Sequence, residues 1–124
     1  MDKLSIGKFG EQLAKDFLVK HGYEIVSGHW QKRVGEIDVI ALEPDNNELV
    51  FVEVKTRTST AFGYPEETVN KKKLQKIYKT AQWFLFTNQY PGKQNWRIDV
   101  ISIILDKTNN KAEITHFKNI SLEP

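Results

Sequence analysis

Four charged residues stand at alternate positions in the most apolar part of the chain: Glu36 and Asp38 in GEIDVIAL, then Glu53 and Lys55 in LVFVEVKTR. Two carboxylates beside a lysine can hold a metal ion or pair as plain charges. A hard divalent cation takes one or two carboxylates and completes its shell with waters and substrate phosphates. The cation polarises a phosphoryl oxygen and activates a bound water. Lys55 suits the electrostatic part, orienting that water or steadying developing charge; service as a general base would need a strongly depressed pKa. The chain has no cysteine, which excludes thiolate metal sites, thiol nucleophiles and a disulfide framework. With no His or Cys read beside them, Asp38, Glu53 and Lys55 select Mg²⁺ or Mn²⁺ over zinc. The competing reading is a solvated strand face carrying ordinary ion pairs.

A hairpin must bring these residues together. The spacing predicts strands over 36–42 and 48–57, joined by the turn-rich EPDNNE. Side chains alternate faces along a strand. Ile37, Val39 and Ala41 are expected on one face with Val50, Val52 and Val54. Glu36, Asp38, Ile40 and Leu42 share the other face with Leu49, Phe51, Glu53, Lys55 and Arg57. A bend centred on Asp45 and Asn46 pairs Leu42 with Leu49, Ile40 with Phe51, Asp38 with Glu53, and Glu36 with Lys55. A one-residue slip would separate the valine faces, so the parity is fixed. Directly opposed side chains have Cβ atoms ~4.5–5.5 Å apart, and like charges there destabilise the pair. Facing carboxylates at Asp38 and Glu53 therefore call for a proton, a lysine or a metal ion. Glu36 is expected to pair with Lys55 rather than to bind metal.

The remaining pattern supplies the frame. Phe9, Leu13 and Phe17 recur at spacing four and predict a helix over 5–21, ended by Lys20, His21 and Gly22. Tyr23 to Trp30 reads as a short strand broken by Gly28. TSTAFGYP, 58–65, reads as a loop. A second helix is expected over 66–86, with Glu66 and Glu67 at its positive end and Leu74, Ile77, Tyr78, Ala81, Phe84 and Leu85 on its apolar face. WRIDVISIIL, 96–105, is the near-continuous apolar run of a central strand, and 112–118 gives a last one. The order is α-β-β-β-α-β-β, a single α/β domain over 1–124 with a central mixed sheet flanked by helices. The 124 residues are 40% hydrophobic and 27% charged, ordinary for a globular domain. No signal-peptide core or membrane-spanning run stands out, so a cytoplasmic location and no membrane partner are expected.

These motifs resemble the YraN family of small bacterial proteins, placed in the PD-(D/E)XK, restriction-endonuclease-like superfamily and related to Holliday-junction resolvases. GEIDVIA followed by LVFVEVKTR carries the resemblance. Gly7, Gly10 and Glu11, the FGYPEE segment, and RIDV at 97–100 extend it over nearly the whole chain. The resemblance implies an αβββαβ core and a metal-dependent nuclease acting on branched or otherwise structured DNA. Asp38 takes the place of the superfamily's metal-binding Asp, with Ile37 in place of the nominal proline. Glu53 and Lys55 supply (D/E)-x-K. Glu11 matches the helix glutamate that resolvase-like members use as a further metal ligand. Gly7, Gly10 and Ala14 would let that helix pack closely and aim Glu11 at the site. The expected catalytic set is thus Asp38, Glu53, Lys55 and Glu11, with Mg²⁺ or Mn²⁺ on Asp38, Glu53 and Glu11. Resolvases act as symmetric dimers, so the resemblance also raises a homodimer. Two other functions fit the residues: a nucleic-acid-binding or scaffold module on a vestigial site, and an RNA-processing nuclease.

A net charge of +2 does not by itself indicate nucleic acid. The placement of charge does more. Arg33, Arg57, Lys72 and Lys73 are the expected phosphate contacts, within a lysine run that includes Lys71, Lys76 and Lys79. The alternative for the run is a solvated helix face. Asp99 is expected to face Lys118 as an ion pair. His21 reads as a helix-end residue, and no partner for His29 or His116 is legible from spacing. Trp30, Trp83 and Trp96 read as core.

Overall fold

The computed structural model describes residues 2–59 and 63–121. Helix α1 spans Lys3–Lys20, and the Asp2 carboxylate caps it by accepting the Ser5 N–H at 2.8 Å. His21 closes the helix with Nδ1 at 2.8 Å from the Phe17 carbonyl, and Gly22 turns the chain away at φ +89°. Strands β1 (Glu24–Ser27), β2 (Trp30–Lys32), β3 (Gly35–Ile37), β4 (Val39–Glu43) and β5 (Glu48–Arg57) follow. Helix α2 (Lys71–Thr87) then leads to β6 (Asn95–Asp106) and β7 (Lys111–Phe117).

The main sheet has the order β1-β4-β5-β6-β7. Only β5 and β6 run parallel, joined through α2. The other neighbours are antiparallel. Helix α1 covers one face, burying Ala14 and Leu18 against Val39, Ala41, Val50, Val52, Ile101 and Ile103. Helix α2 covers the other with Leu74, Ile77, Ala81 and Phe84 over Ile40, Leu49, Phe51 and Ile98. Each large aliphatic side chain buried this way contributes ~1.5–3 kcal/mol. A mixed sheet between two helices in this order is the restriction-endonuclease-like fold.

Several expectations are corrected here. The strand expected over 36–42 is two strands, broken by a bend at Asp38. Alternation assumes an unbroken pleat; across the bend Ile37 joins the α2 face with Ile40 and Phe51 instead of the valine face. Strand β3 leaves the main sheet and pairs with β2, which polar Gln31 and Lys32 had concealed. The face of α1 turned inward is Gly10, Ala14 and Leu18, while Phe9 is 44% exposed. Helix α2 begins later than expected: Glu66 and Glu67 lie in a separate 3-10 turn, Pro65–Thr68, and Asn70 caps the helix by accepting the Lys73 N–H at 2.9 Å. Trp30 and Trp96 pack on the core, but Trp83 is 41% exposed. Of the 58–65 loop, residues 60–62 lie outside those described. No helix among the described residues is long and apolar enough to cross a membrane.

Candidate metal centre and basic cleft

The β4–β5 register pairs Leu42 with Leu49 and Ile40 with Phe51, as expected, and ends at Val39 with Val52. One step further brings Asp38 beside Glu53. Asp38 is no longer a strand residue at this point. The bend frees its carboxylate, and Oδ2 accepts the Val54 N–H at 2.8 Å. The small hairpin meets the same residue from the other side. Its register pairs Trp30 with Ile37, so one step further places His29 beside Asp38. Two hairpins thus converge on one aspartate.

Helix α1 supplies Glu11. The helix approaches β5 so closely at Gly10 that a methyl there would overlap the Thr56 hydroxyl and sit 2.9 Å from Thr56 Cβ. Gly7, by contrast, has open space around it, so the close packing rests on Gly10 and Ala14. Glu11 Oε1 lies 3.4 Å from His29 Nδ1, and Asp38 Oδ1 lies 3.8 Å from the same nitrogen. One atom each from Glu11, His29 and Asp38 falls within 4.8 Å of the others.

Burial sets the electrostatics. The Asp38 carboxyl is pushed up to about 8, first by burial, then by a hydrogen bond and charge repulsion with Glu53. Burial also raises Glu11, against the opposing pull of His29. The Glu53 side chain is only 6% exposed. Its Oε2 has Lys73 Nζ at 3.2 Å and Lys55 Nζ at 3.8 Å, yet it receives no hydrogen bond of acceptable geometry. A buried carboxylate that neither lysine meets with an aligned hydrogen bond, beside a second carboxyl that burial keeps from ionising, suits a divalent cation. Oxygen donors from Asp38, Glu53 and Glu11 suit Mg²⁺ or Mn²⁺.

The expected pairing of Glu36 with Lys55 does not form. Glu36 belongs to β3, which has left the β5 neighbourhood for β2, and its Oε2 lies 3.2 Å from His29 Nε2. The site therefore has a histidine close by, which the sequence reading did not place there. Lys73, one of the expected phosphate contacts, is partly exposed, lines both cavities of this region and lies 3.2 Å from Glu53 Oε2. Lys72, Arg57 and Arg33 are exposed.

Glu11, Glu36, Asp38, Glu53, Lys55, Arg57 and Lys73 line a cavity of about 640 Å³. A smaller cavity of about 320 Å³ shares Glu36 and Lys73 with it and adds Lys32, Arg33 and Lys76. A pocket that sets carboxylates among lysines and Arg57 thus opens beside a basic cleft made by the β2–β3 turn and the start of α2.

Asp99 belongs to a different network. It is fully buried and bonded by Arg97 at 3.0 Å, His116 at 2.7 Å and the Asn119 N–H at 2.8 Å, so the expected partner Lys118 is not the one it uses. Burial alone would raise the Asp99 carboxyl; the bonds from His116 and Arg97 outweigh it and hold it below its ordinary value. Arg97 also donates to Glu43 and Glu48, both at 2.6 Å, and to the Tyr23 hydroxyl at 2.9 Å. This network ties β4, β5, β6 and β7 together away from the cavity.

Comparison with known proteins agrees with the resemblance read from the motifs. A family model described as uncharacterised protein family UPF0102 matches residues 10–103. A UPF0102 protein of Caldicellulosiruptor bescii is 46% identical over 119 residues, covering 96% of this chain and 98% of the relative. One from Persephonella marina is 46% identical over 113 residues, covering 91% and 90%. One from Clostridium botulinum strain 657 is 42% identical over 114 residues, covering 92% and 91%. With most of its length matched by the family model and by relatives above 40% identity, the chain belongs to the uncharacterised protein family UPF0102, the family of the YraN proteins.

Proposed function

We propose that this protein is a nuclease dependent on Mg²⁺ or Mn²⁺ that hydrolyses phosphodiesters in structured DNA. The observation that carries the reading is the convergence on Asp38: a bent strand sets its carboxyl against Glu53, with Glu11 and Lys55 lining the same cavity. Asp38, Glu53 and Glu11 would hold the ion. Bound there, a divalent cation would polarise a phosphodiester and lower the pKa of its water.

The chain's own residues do the rest. Lys55, on the same strand as Glu53, presents an ammonium to the cavity where charge develops on the phosphoryl oxygens. Lys73 reaches the cavity from α2 and offers a second cation at 3.2 Å from Glu53. Arg57 in the larger pocket, Arg33 in the basic cleft and the exposed Lys72 next to Lys73 would hold the phosphate backbone without reading sequence.

A second reading is supported by the same two lysines. Lys55 and Lys73 near Glu53, and His29 among Glu11, Glu36 and Asp38, could neutralise the carboxylates without metal in a module that only binds nucleic acid. The purified protein with Mg²⁺ or Mn²⁺, tested on linear, flapped, four-way and RNA substrates, decides between them. Nuclease activity should appear with metal, stop with EDTA, and be abolished in Asp38→Ala, Glu53→Ala and Lys55→Ala, each still folded. Cleavage that survives Glu53→Ala would sink the assignment; binding without cleavage on every substrate would establish the second reading. Neutralising Arg33, Arg57 and Lys72 together should weaken binding on all sequences and flatten the slope of log affinity against log salt, because each lost phosphate contact releases fewer counterions.

A further inference from the structure

We propose that His29 is itself a ligand of the metal, through Nδ1, with Glu36 as the carboxylate that orients the ring, and that this gives the site a preference for Mn²⁺ over Mg²⁺. The proposal rests on the reading of Asp38, Glu53 and Glu11 as a divalent-cation site.

The two ring nitrogens of His29 have different surroundings. Nδ1 faces Glu11 Oε1 at 3.4 Å and Asp38 Oδ1 at 3.8 Å. Nε2 faces away from them, 3.2 Å from Glu36 Oε2. A metal-bound histidine almost always donates its other ring N–H to a carboxylate, which fixes the tautomer and strengthens the ligand. His29 and Glu36 have that spacing, and a ring that donates Nε2–H to Glu36 would turn the Nδ1 lone pair toward Glu11 and Asp38. Ligands ~2.1 Å from an octahedral ion lie ~3 Å apart when adjacent and ~4.2 Å apart when opposite. The separations from Nδ1 fall between these values. Movement of a few tenths of an ångström would therefore complete a shell.

A second observation points to an ion. Glu53 lines the cavity shared with Glu11 and Asp38 on a side chain only 6% exposed, and its buried Oε2 has only the ammonium groups of Lys73 at 3.2 Å and Lys55 at 3.8 Å near it, neither aligned as a hydrogen bond. The His29 side chain is 40% exposed, so the centre stays open to an entering hydrated ion. Oxygen ligands alone suit Mg²⁺ and Mn²⁺ about equally, whereas imidazole favours first-row transition ions. Of these two ions, three carboxylates with one imidazole therefore favour Mn²⁺.

The test compares wild type with His29→Gln, Glu36→Gln and Glu53→Ala, after circular dichroism has shown each folded. Calorimetry with Mn²⁺ alone and Mg²⁺ alone gives affinities, and pulsed electron paramagnetic resonance of bound Mn²⁺ reports nitrogen in its shell. Wild type should show nitrogen coupling, and His29→Gln should lose it. His29→Gln should also bind Mn²⁺ on the order of tenfold or more weakly while Mg²⁺ changes little. Glu36→Gln should keep the nitrogen signal and weaken Mn²⁺ less. Bound Mn²⁺ without nitrogen coupling, or equal weakening of both ions in His29→Gln, overturns the assignment of His29 and leaves the carboxylate site standing. No Mn²⁺ binding to wild type, or undiminished binding to Glu53→Ala, overturns the underlying metal site as well.

Discussion

Replacing Asp38 by asparagine should stabilise the metal-free protein at neutral pH and leave it unchanged near pH 4. The side chain is 12% exposed, so solvent does little to screen it. Its carboxyl is raised from 3.8 to about 8. Between those values the folded protein holds a proton that the unfolded chain has released. The stabilising contribution is complete below 3.8 and is lost as pH rises through 8, at up to ~1.4 kcal/mol per pH unit. Moving from pH 5 to pH 7 should thus cost the wild type roughly 2–3 kcal/mol relative to the variant, a gap on the order of 10 °C in melting temperature. Asparagine copies the protonated acid. Its oxygen can keep the Val54 N–H bond and its amide can donate to Glu53. The assay is a pair of thermal or urea unfolding series in EDTA between pH 4 and 8. Parallel curves would refute the reasoning, since they would mean that Asp38 is ionised and satisfied by neighbouring cations. With Mn²⁺ at 100 times its dissociation constant the wild type should gain ~2.7 kcal/mol, and Asp38→Asn much less.

Two further outcomes follow from packing. Gly10→Ala places a methyl against the Thr56 side chain, so α1 must shift; overpacking of ~1–3 kcal/mol, less the ~1 kcal/mol gained in helix propensity, should leave the variant destabilised and Mn²⁺ binding weakened through displaced Glu11, whereas Gly7→Ala, with nothing within 4 Å, should melt no lower than wild type. Asp99→Ala strips Arg97 and His116 of a buried partner and should cost ~3 kcal/mol by denaturant unfolding; because the folded carboxyl is held below its ordinary 3.8, this loss should be full above that pH and shrink as acid protonates the wild-type residue.

The hairpin register was legible because two independent signals agreed. The valine alternation fixed its parity and EPDNNE fixed its turn, and the pairs Leu42–Leu49 and Ile40–Phe51 formed as read. Ile37 was misplaced because a period of two carries no sign of a bend, and the bend is where Asp38 does its work. The α1 stripe was read from its large apolar residues, but close approach is set by small ones. Gly10 and Ala14 point inward while Phe9 stays 44% exposed. Glu11 was found through the resemblance, since a helix glutamate beside a glycine has no chemical signature of its own. His29 was missed for a simpler reason. Its partner strand was short and polar, and the turn at Arg33 and Val34 lacks the Asn-Gly or Asp-Gly pair that marks a two-residue hairpin. Had that turn been read, its register alone would have set His29 beside Asp38. Asp99 likewise needed β7 and the chain beyond it folded back before its partners could be named.

A two-stranded ribbon is marginal by itself in water, and the β2–β3 ribbon belongs to no larger sheet. It is fastened in two ways: Trp30, Ile37 and Gly35 pack against α2, and His29 meets Asp38 at the ribbon's base. The first fastening is permanent. The second depends on what lies between the two side chains. An ion bridging His29 and Asp38 would lock the base of the ribbon to the main sheet, at the end opposite the turn that carries Arg33 into the basic cleft. Amide exchange across residues 30–37 should therefore slow when Mn²⁺ is added, and the grip on a phosphate backbone should stiffen with it.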